Sequence, residues 1–180
     1  MLQRSVPARL RRAAVLLSAA FLVPAMLACN SSETPETAAD TIPFHVHSIY
    51  DPGADDAADI QSALAQASRQ HKRVLLDFGG NWCGDCQVLD YYFHLPQNQQ
   101  LLDRNFILVD VDIGQYDHNL DIARKYDIPL KKGVPALAVL DANGHLLFSQ
   151  RNAQFEKMQR VSPGAVTQFL RQWKGSGGQS

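Results

Sequence analysis

Cys83 and Cys86 are the residues of this 180-residue chain whose type and spacing point most directly to chemistry. Gly84 and Asp85 separate them, and the four residues stand between a short apolar run and a stretch with apolar side chains at helical spacing. A cysteine at the start of a helix meets unpaired backbone N–H groups and the positive end of the macrodipole, and both favour the thiolate that attacks a disulfide. Cys83, nearer the exposed end, is expected to attack first. Cys86, one turn on, is expected to resolve the mixed disulfide. Gly84 lets the backbone bend tightly enough for the two sulfurs to join.

The same spacing supplies half of many zinc sites, so zinc is the main competing reading. A tetrahedral site needs two further ligands, and no second cysteine pair exists. His45, His47, His71, His94, His118 and His145 are scattered, so no metal is assigned. A purely structural disulfide is disfavoured because so short a loop contributes little chain entropy.

The elements that must hold the pair follow from apolar periodicity. Asp51-Pro52-Gly53 signals a turn, and residues 55–70 then carry Ala57, Ile60, Ala63, Leu64 and Ala67 at helical spacing with acids near the start. Residues 73–78 read as a strand buried on both faces, and residues 84–94 as the helix that begins at the pair. A helix over 97–104, a strand over 106–111 and a helix over 119–126 come next. Strands over 135–140 and 146–148 are joined by Asp141-Ala142-Asn143-Gly144, whose Asn-Gly step signals a hairpin. Ser162-Pro163 reads as an N-cap followed by a first-turn proline, ahead of the stripe Val166, Phe169, Leu170 and Trp173. This order predicts an α/β fold with one central mixed sheet, parallel at one side and an antiparallel hairpin at the other, with helices on both faces.

Composition sets outer bounds. Lys plus Arg number 17 against 18 for Asp plus Glu, giving a net charge of −1, so nothing electrostatic argues for nucleic acid as a partner. Residues 1–28 open with Arg4, Arg9, Arg11 and Arg12 and continue into an apolar run of about fifteen residues, shorter than the roughly twenty that cross a bilayer. That is the pattern of a removable export signal. The run ends at Met26-Leu27-Ala28-Cys29, which resembles the lipobox of bacterial lipoproteins and implies a lipid on Cys29 after cleavage. Lipidation also removes an odd thiol from an oxidising compartment. Residues 29–44 then read as a flexible tether, residues 45–174 as the folded domain and residues 175–180, rich in Gly and Ser, as a disordered tail.

Val74-Leu75-Leu76-Asp77-Phe78, Trp82-Cys83-Gly84-Asp85-Cys86, Gly133-Val134-Pro135-Ala136-Leu137 and Asp141-Ala142-Asn143-Gly144 together resemble the successive signatures of the thioredoxin superfamily, over residues 70–173. The resemblance implies the thioredoxin fold and an exported thiol–disulfide oxidoreductase with no cofactor beyond its redox-active disulfide. It implies that Cys83 is the nucleophile, Cys86 the resolving thiol and Trp82 the aromatic that shields them. Asp77 matches the buried acid that takes a proton from the resolving cysteine, and burial should raise its pKa. Pro135 matches the proline after a cis peptide bond, leaving the Val134 backbone to pair with an extended substrate.

Two positions depart from the family pattern. Gly79-Gly80 replaces a bulkier pair, and Asp85 takes the place of a proline. A carboxylate beside the thiols opposes thiolate formation, which argues for a reductant or isomerase over an oxidant. The expected partners are exported proteins with disulfides or thiols, a membrane electron donor or acceptor, and the membrane itself through Cys29, all on the periplasmic side of a bacterial envelope. The alternative is a copper-binding or copper-delivery protein on the same fold, using the thiols with His45 or His47. It is disfavoured because such relatives separate their cysteines by three residues.

Overall fold

A computed structural model describes residues 46–175. The export signal, Cys29, the tether and residues 176–180 of the tail lie outside the described residues. Five helices and four strands follow in the order α1 (Asp56–Gln70), β1 (Arg73–Gly79), α2 (Gly84–Phe93), α3 (Pro96–Asn105), β2 (Phe106–Asp112), α4 (Leu120–Lys125), β3 (Ala136–Leu140), β4 (Leu146–Ser149) and α5 (Pro163–Trp173).

Local chemistry sets most of the boundaries. The Asp55 carboxylate accepts from the Ala58 N–H at 3.0 Å and starts α1, which ends at His71 in the left-handed region. Pro96 and Pro163 begin α3 and α5, where a missing N–H costs nothing, and the Ser162 hydroxyl accepts from the Ala165 N–H. Helix α4 is shorter than the periodicity of 119–126 predicts, because Asn119 adopts φ 52° and cannot extend the helical turn. Two single turns of 3-10 helix, Leu130–Lys132 and Met158–Arg160, are not visible in the apolar pattern because they bury too few side chains to create one.

The sheet order is β2-β1-β3-β4, with β1 parallel to β2 and antiparallel to β3, and β3 antiparallel to β4. This is the thioredoxin fold. Alternation along β1 divides the core in two. Val74, Leu76 and Phe78 pack with Ile60, Ala63 and Ala67 of α1 and Ile122 and Ala123 of α4. Leu75 faces the other way, into Leu89 and Phe93 of α2, Leu102 of α3 and Phe169 and Leu170 of α5. Fully burying one such aliphatic or aromatic side chain contributes about 1.5–3 kcal/mol, so both faces of β1 are anchored along its length. Asp77 interrupts the apolar run on the second face, in register with Asp110 of β2 and Leu137 of β3.

Buried polar groups tie the second layer together. The Thr167 hydroxyl of α5 donates to Asn98 Oδ1 of α3, whose Nδ2 donates to the Tyr92 carbonyl of α2. Such paired groups avoid the penalty of a desolvated donor left unmade. Among the described residues, no helix is long and apolar enough to cross a membrane.

Candidate active site

Strand β1 ends at Gly79, and the chain turns through Gly80, Asn81 and Trp82 before α2 begins. Cys83 is the N-cap of α2. Its Sγ accepts from the Cys86 N–H at 3.1 Å, so the sulfur sits among the unpaired donors of the helix end. Cys83 and Cys86 form a disulfide across a Cα separation of 5.2 Å, with Cys83 about 5% exposed and Cys86 fully buried. Cys83 is thus the slightly more accessible of two buried sulfurs.

Opposite the disulfide runs the segment that leads into β3. The Val134–Pro135 peptide bond is cis, and the Val134 carbonyl oxygen lies 3.6 Å from Cys83 Sγ. Gln150 holds this segment from behind: its Oε1 accepts from the Leu137 N–H and its Nε2 donates to the Pro135 carbonyl. Gln150 is itself buried, and its role has no signature in the sequence because it acts across 13 and 15 residues of chain.

Trp82 is 46% exposed and forms the rim. Its indole Nε1 donates to the Gly114 carbonyl at 2.6 Å and its ring packs at 5.5 Å from that of Tyr116. A Cβ at Gly80 would stand 2.6 Å from the indole nitrogen, and one at Gly79 would collide with the Tyr50 hydroxyl and come within 2.8 Å of Cys86 Sγ. The Gly79-Gly80 departure therefore has a steric cause: two groups of the site occupy the space where side chains would stand.

Beneath the disulfide lies an acidic layer. Asp77 is 1% exposed; its Oδ2 accepts from the Tyr50 hydroxyl at 3.2 Å, while Oδ1 has no hydrogen-bond partner among the described residues. Burial, then the neighbouring Asp110 carboxylate, push the Asp77 carboxyl well above the usual range, against the opposing effect of the Tyr50 hydrogen bond. Burial also pushes Asp110 up to about 7, with Asp90 adding to the rise and His94 opposing it. Asp90, buried on α2, meets His47 Nε2 at 3.1 Å and His94 Nδ1 at 3.4 Å. Of this layer the sequence singled out Asp77; Asp110 joins it through the sheet register, Tyr50 from the segment before α1 and Asp90 from α2, and each looks like an ordinary residue in the sequence.

Asp85 turns away from the sulfurs. Its Oδ1 accepts from the Met158 N–H at 2.9 Å and so pins the Met158–Arg160 turn against α2. Next to the Val134 edge, an apolar groove of about 960 Å³ runs from Tyr116 past Leu120, Ile128 and Leu130 to Gly133, with Arg124, Lys131 and Lys132 on its rim. Among the described residues, no three His, Cys, Asp or Glu side chains are grouped to hold a metal ion.

A helix-capping cysteine pair facing a peptide edge, on this fold, is built for exchange between protein disulfides and thiols. A Thioredoxin-like family model matches residues 56–142. The structure of a disulphide isomerase from Xylella fastidiosa superposes with a TM-score of 0.67 at 31% identity, covering 71% of this chain and 98% of that one. Thiol:disulfide interchange protein DsbD of Colwellia psychrerythraea is 25% identical over 107 residues, 58% of this chain and 17% of its own length. Its counterpart from Vibrio cholerae is 30% identical over 89 residues, 48% of this chain and 14% of its own. The chain thus spans less than a fifth of the DsbD proteins it matches. The chain belongs to the thioredoxin superfamily and is a protein disulfide oxidoreductase.

Proposed function

We propose that this protein works in the bacterial cell envelope as a disulfide reductase or isomerase, held to a membrane by lipid on Cys29 and supplied with electrons by a membrane partner. The observation that carries the direction of electron flow is the acidic layer under the disulfide. The same burial that raises the Asp77 and Asp110 carboxyls disfavours a thiolate on the fully buried Cys86, so the reduced pair is the readier electron donor. The match of residues 56–142 to a Thioredoxin-like family model, the likeness to parts of thiol:disulfide interchange proteins and the match to a disulphide isomerase support the same reading.

In this mechanism the reduced Cys83 thiolate, stabilised by the N-terminus of α2, attacks a substrate disulfide that has docked along Val134. One substrate sulfur leaves as thiolate and a mixed disulfide remains on Cys83. Cys86 gives its proton to Asp77 and attacks Cys83 Sγ, which forms the Cys83–Cys86 disulfide and frees the second substrate thiol. Trp82 and Pro135 frame the approach, and the apolar groove with its cationic rim receives an apolar, acid-flanked stretch of the substrate protein.

The equilibrium reduction potential of the Cys83–Cys86 pair, titrated against a dithiol, tests the direction. A value near about −270 mV, as for thioredoxin, is expected, and one near about −120 mV would make the protein an oxidant and refute the reading. For the anchor, Cys29→Ser should move the protein from the membrane to the soluble fraction and abolish incorporation of labelled fatty acid. Retention at the membrane with no label would refute lipidation.

A further inference from the structure

The residues before α1 are strapped onto the active-site loop by two side chains. Asn81 Oδ1 accepts from the N–H groups of Ile49 and Tyr50 at 2.8 and 3.0 Å, and its Nδ2 donates to the Tyr50 carbonyl at 2.7 Å and to the Ser48 hydroxyl. Gln87 of α2 pairs with both backbone groups of His47, at 3.2 and 2.9 Å. The strap delivers the fully buried Tyr50 ring to the end of β1. There its hydroxyl donates to Asp77 Oδ2, and it shares with Cys86 Sγ the side-chain space that Gly79 leaves empty.

We propose that Tyr50 is the proton relay between Cys86 and Asp77. In the resolving step Cys86 Sγ–H passes its proton to the Tyr50 oxygen while Tyr50 O–H passes its own to Asp77 Oδ2. The phenol ends neutral, Asp77 ends protonated, and the Cys86 thiolate attacks the mixed disulfide on Cys83; the reverse sequence returns the proton when the pair is reduced. A bridging hydroxyl fits this geometry, because the carboxyl is sealed from solvent, the Tyr50 hydroxyl donates to it, and a Cβ at Gly79 would meet both that hydroxyl and Cys86 Sγ. Burial, and after it the Asp77 and Asp110 carboxylates, push the Tyr50 phenol well above its usual range, so it stays a donor. The titratable groups that face the relay are Cys86 and Asp90 on α2, Asp77 on β1 and Asp110 on β2, with His47 and His94 on Asp90.

The inference rests on Asp77 taking the proton of Cys86, and the test separates the two. The full chain carrying Cys29→Ser, so that only the pair reacts, is reduced and mixed with oxidised glutathione, and the mixed disulfide on Cys83 is followed by quenched-flow mass spectrometry between pH 6 and 9. Tyr50→Phe should slow its resolution by about tenfold or more near neutrality, with the deficit closing at high pH where solvent base serves directly. Asp77→Asn should slow it as well, and the double variant should be no slower than Asp77→Asn alone. Resolution at the unsubstituted rate in Tyr50→Phe with Asp77→Asn still slow overturns the relay and leaves the acid. Unsubstituted rates in both remove the acid and the relay together. Additive losses place Tyr50 outside the Asp77 route and also overturn it. Should Tyr50→Phe not fold, the proton inventory of the Cys29→Ser parent decides: two protons in flight give a curved dependence on deuterium fraction, and a straight line refutes the relay.

Discussion

Asp77 and Asp110 are register partners on the parallel pair β1–β2, and strand alternation puts both on the face that packs against α2. Burial raises both carboxyls, and the Asp110 carboxylate raises Asp77 further, while Asp90 adds to the rise at Asp110. The arrangement stores a cost in the folded state that the redox chemistry uses.

That cost sets a pH dependence of stability. Asp110 titrates at about 7 in the fold against 3.8 for the free carboxyl, so the folded chain binds the proton more tightly than the unfolded one. The stability this contributes is complete below about pH 4 and is lost as pH rises through 7. Asp110→Asn should therefore stabilise the protein at pH 7.5 by about 2–4 kcal/mol and flatten the slope of unfolding free energy between pH 4 and 7. Urea titrations at several pH values measure both, and an unchanged slope would show that Asp110 is not the titrating group.

Gly79→Ala places a Cβ against the Tyr50 hydroxyl and 2.8 Å from Cys86 Sγ. Overpacking of this kind costs about 1–3 kcal/mol, and here it also displaces the groups that serve the resolving sulfur. The expected result is a lowered unfolding midpoint together with slower thiol exchange. Gly80→Ala should instead displace the Trp82 indole, read as a change in tryptophan fluorescence between oxidised and reduced protein.

Removal of the strap is expected to act at a distance. Asn81→Ala deletes four hydrogen bonds to residues 48–50, worth about 1 kcal/mol each at most when net solvation is counted. Hydrogen exchange at Ile49 and Tyr50 should rise by orders of magnitude while the strands of the sheet stay protected. Protection unchanged at both amides would mean that the segment is held by other contacts.

The groove beside Val134 should discriminate between substrates. Leu130→Asp, or the pair Lys131→Glu and Lys132→Glu, is expected to raise KM for a disulfide-bonded protein substrate several-fold and to affect the rate with oxidised glutathione far less, since a tripeptide does not reach along the groove. Equal losses with both substrates would assign the groove to stability.

The sequence was legible where local chemistry is sufficient. The start of α5 was readable from Ser162-Pro163 because a cap is a contact between residues three apart, and that of α1 from its acids, whereas α3 starts at Pro96 with no side-chain cap. The pairing of Cys83 with Cys86 was readable because a turn and the first turn of a helix fix their relation, whereas Asp77 stood out only through the family resemblance. The anomaly at Gly79-Gly80 was visible too, but what fills the vacated space comes from Tyr50, 29 residues earlier, and from Trp82. Asp85 shows the opposite limit. Adjacency in sequence places it beside the thiols, while α2 turns its carboxylate to Met158, 73 residues away.

By itself, the sequence determined the order of elements, the two-sided burial of β1 and the placing of two thiols at a helix N-terminus, since periodicity and capping act over a few residues. Only the tertiary structure decided which acids stand behind those thiols and which hydroxyl stands between. Parallel register set Asp110 beside Asp77, and a strap held by Asn81 and Gln87 set Tyr50 over Gly79. Both depend on pairings between segments distant in the chain, where no local preference of either segment names its partner.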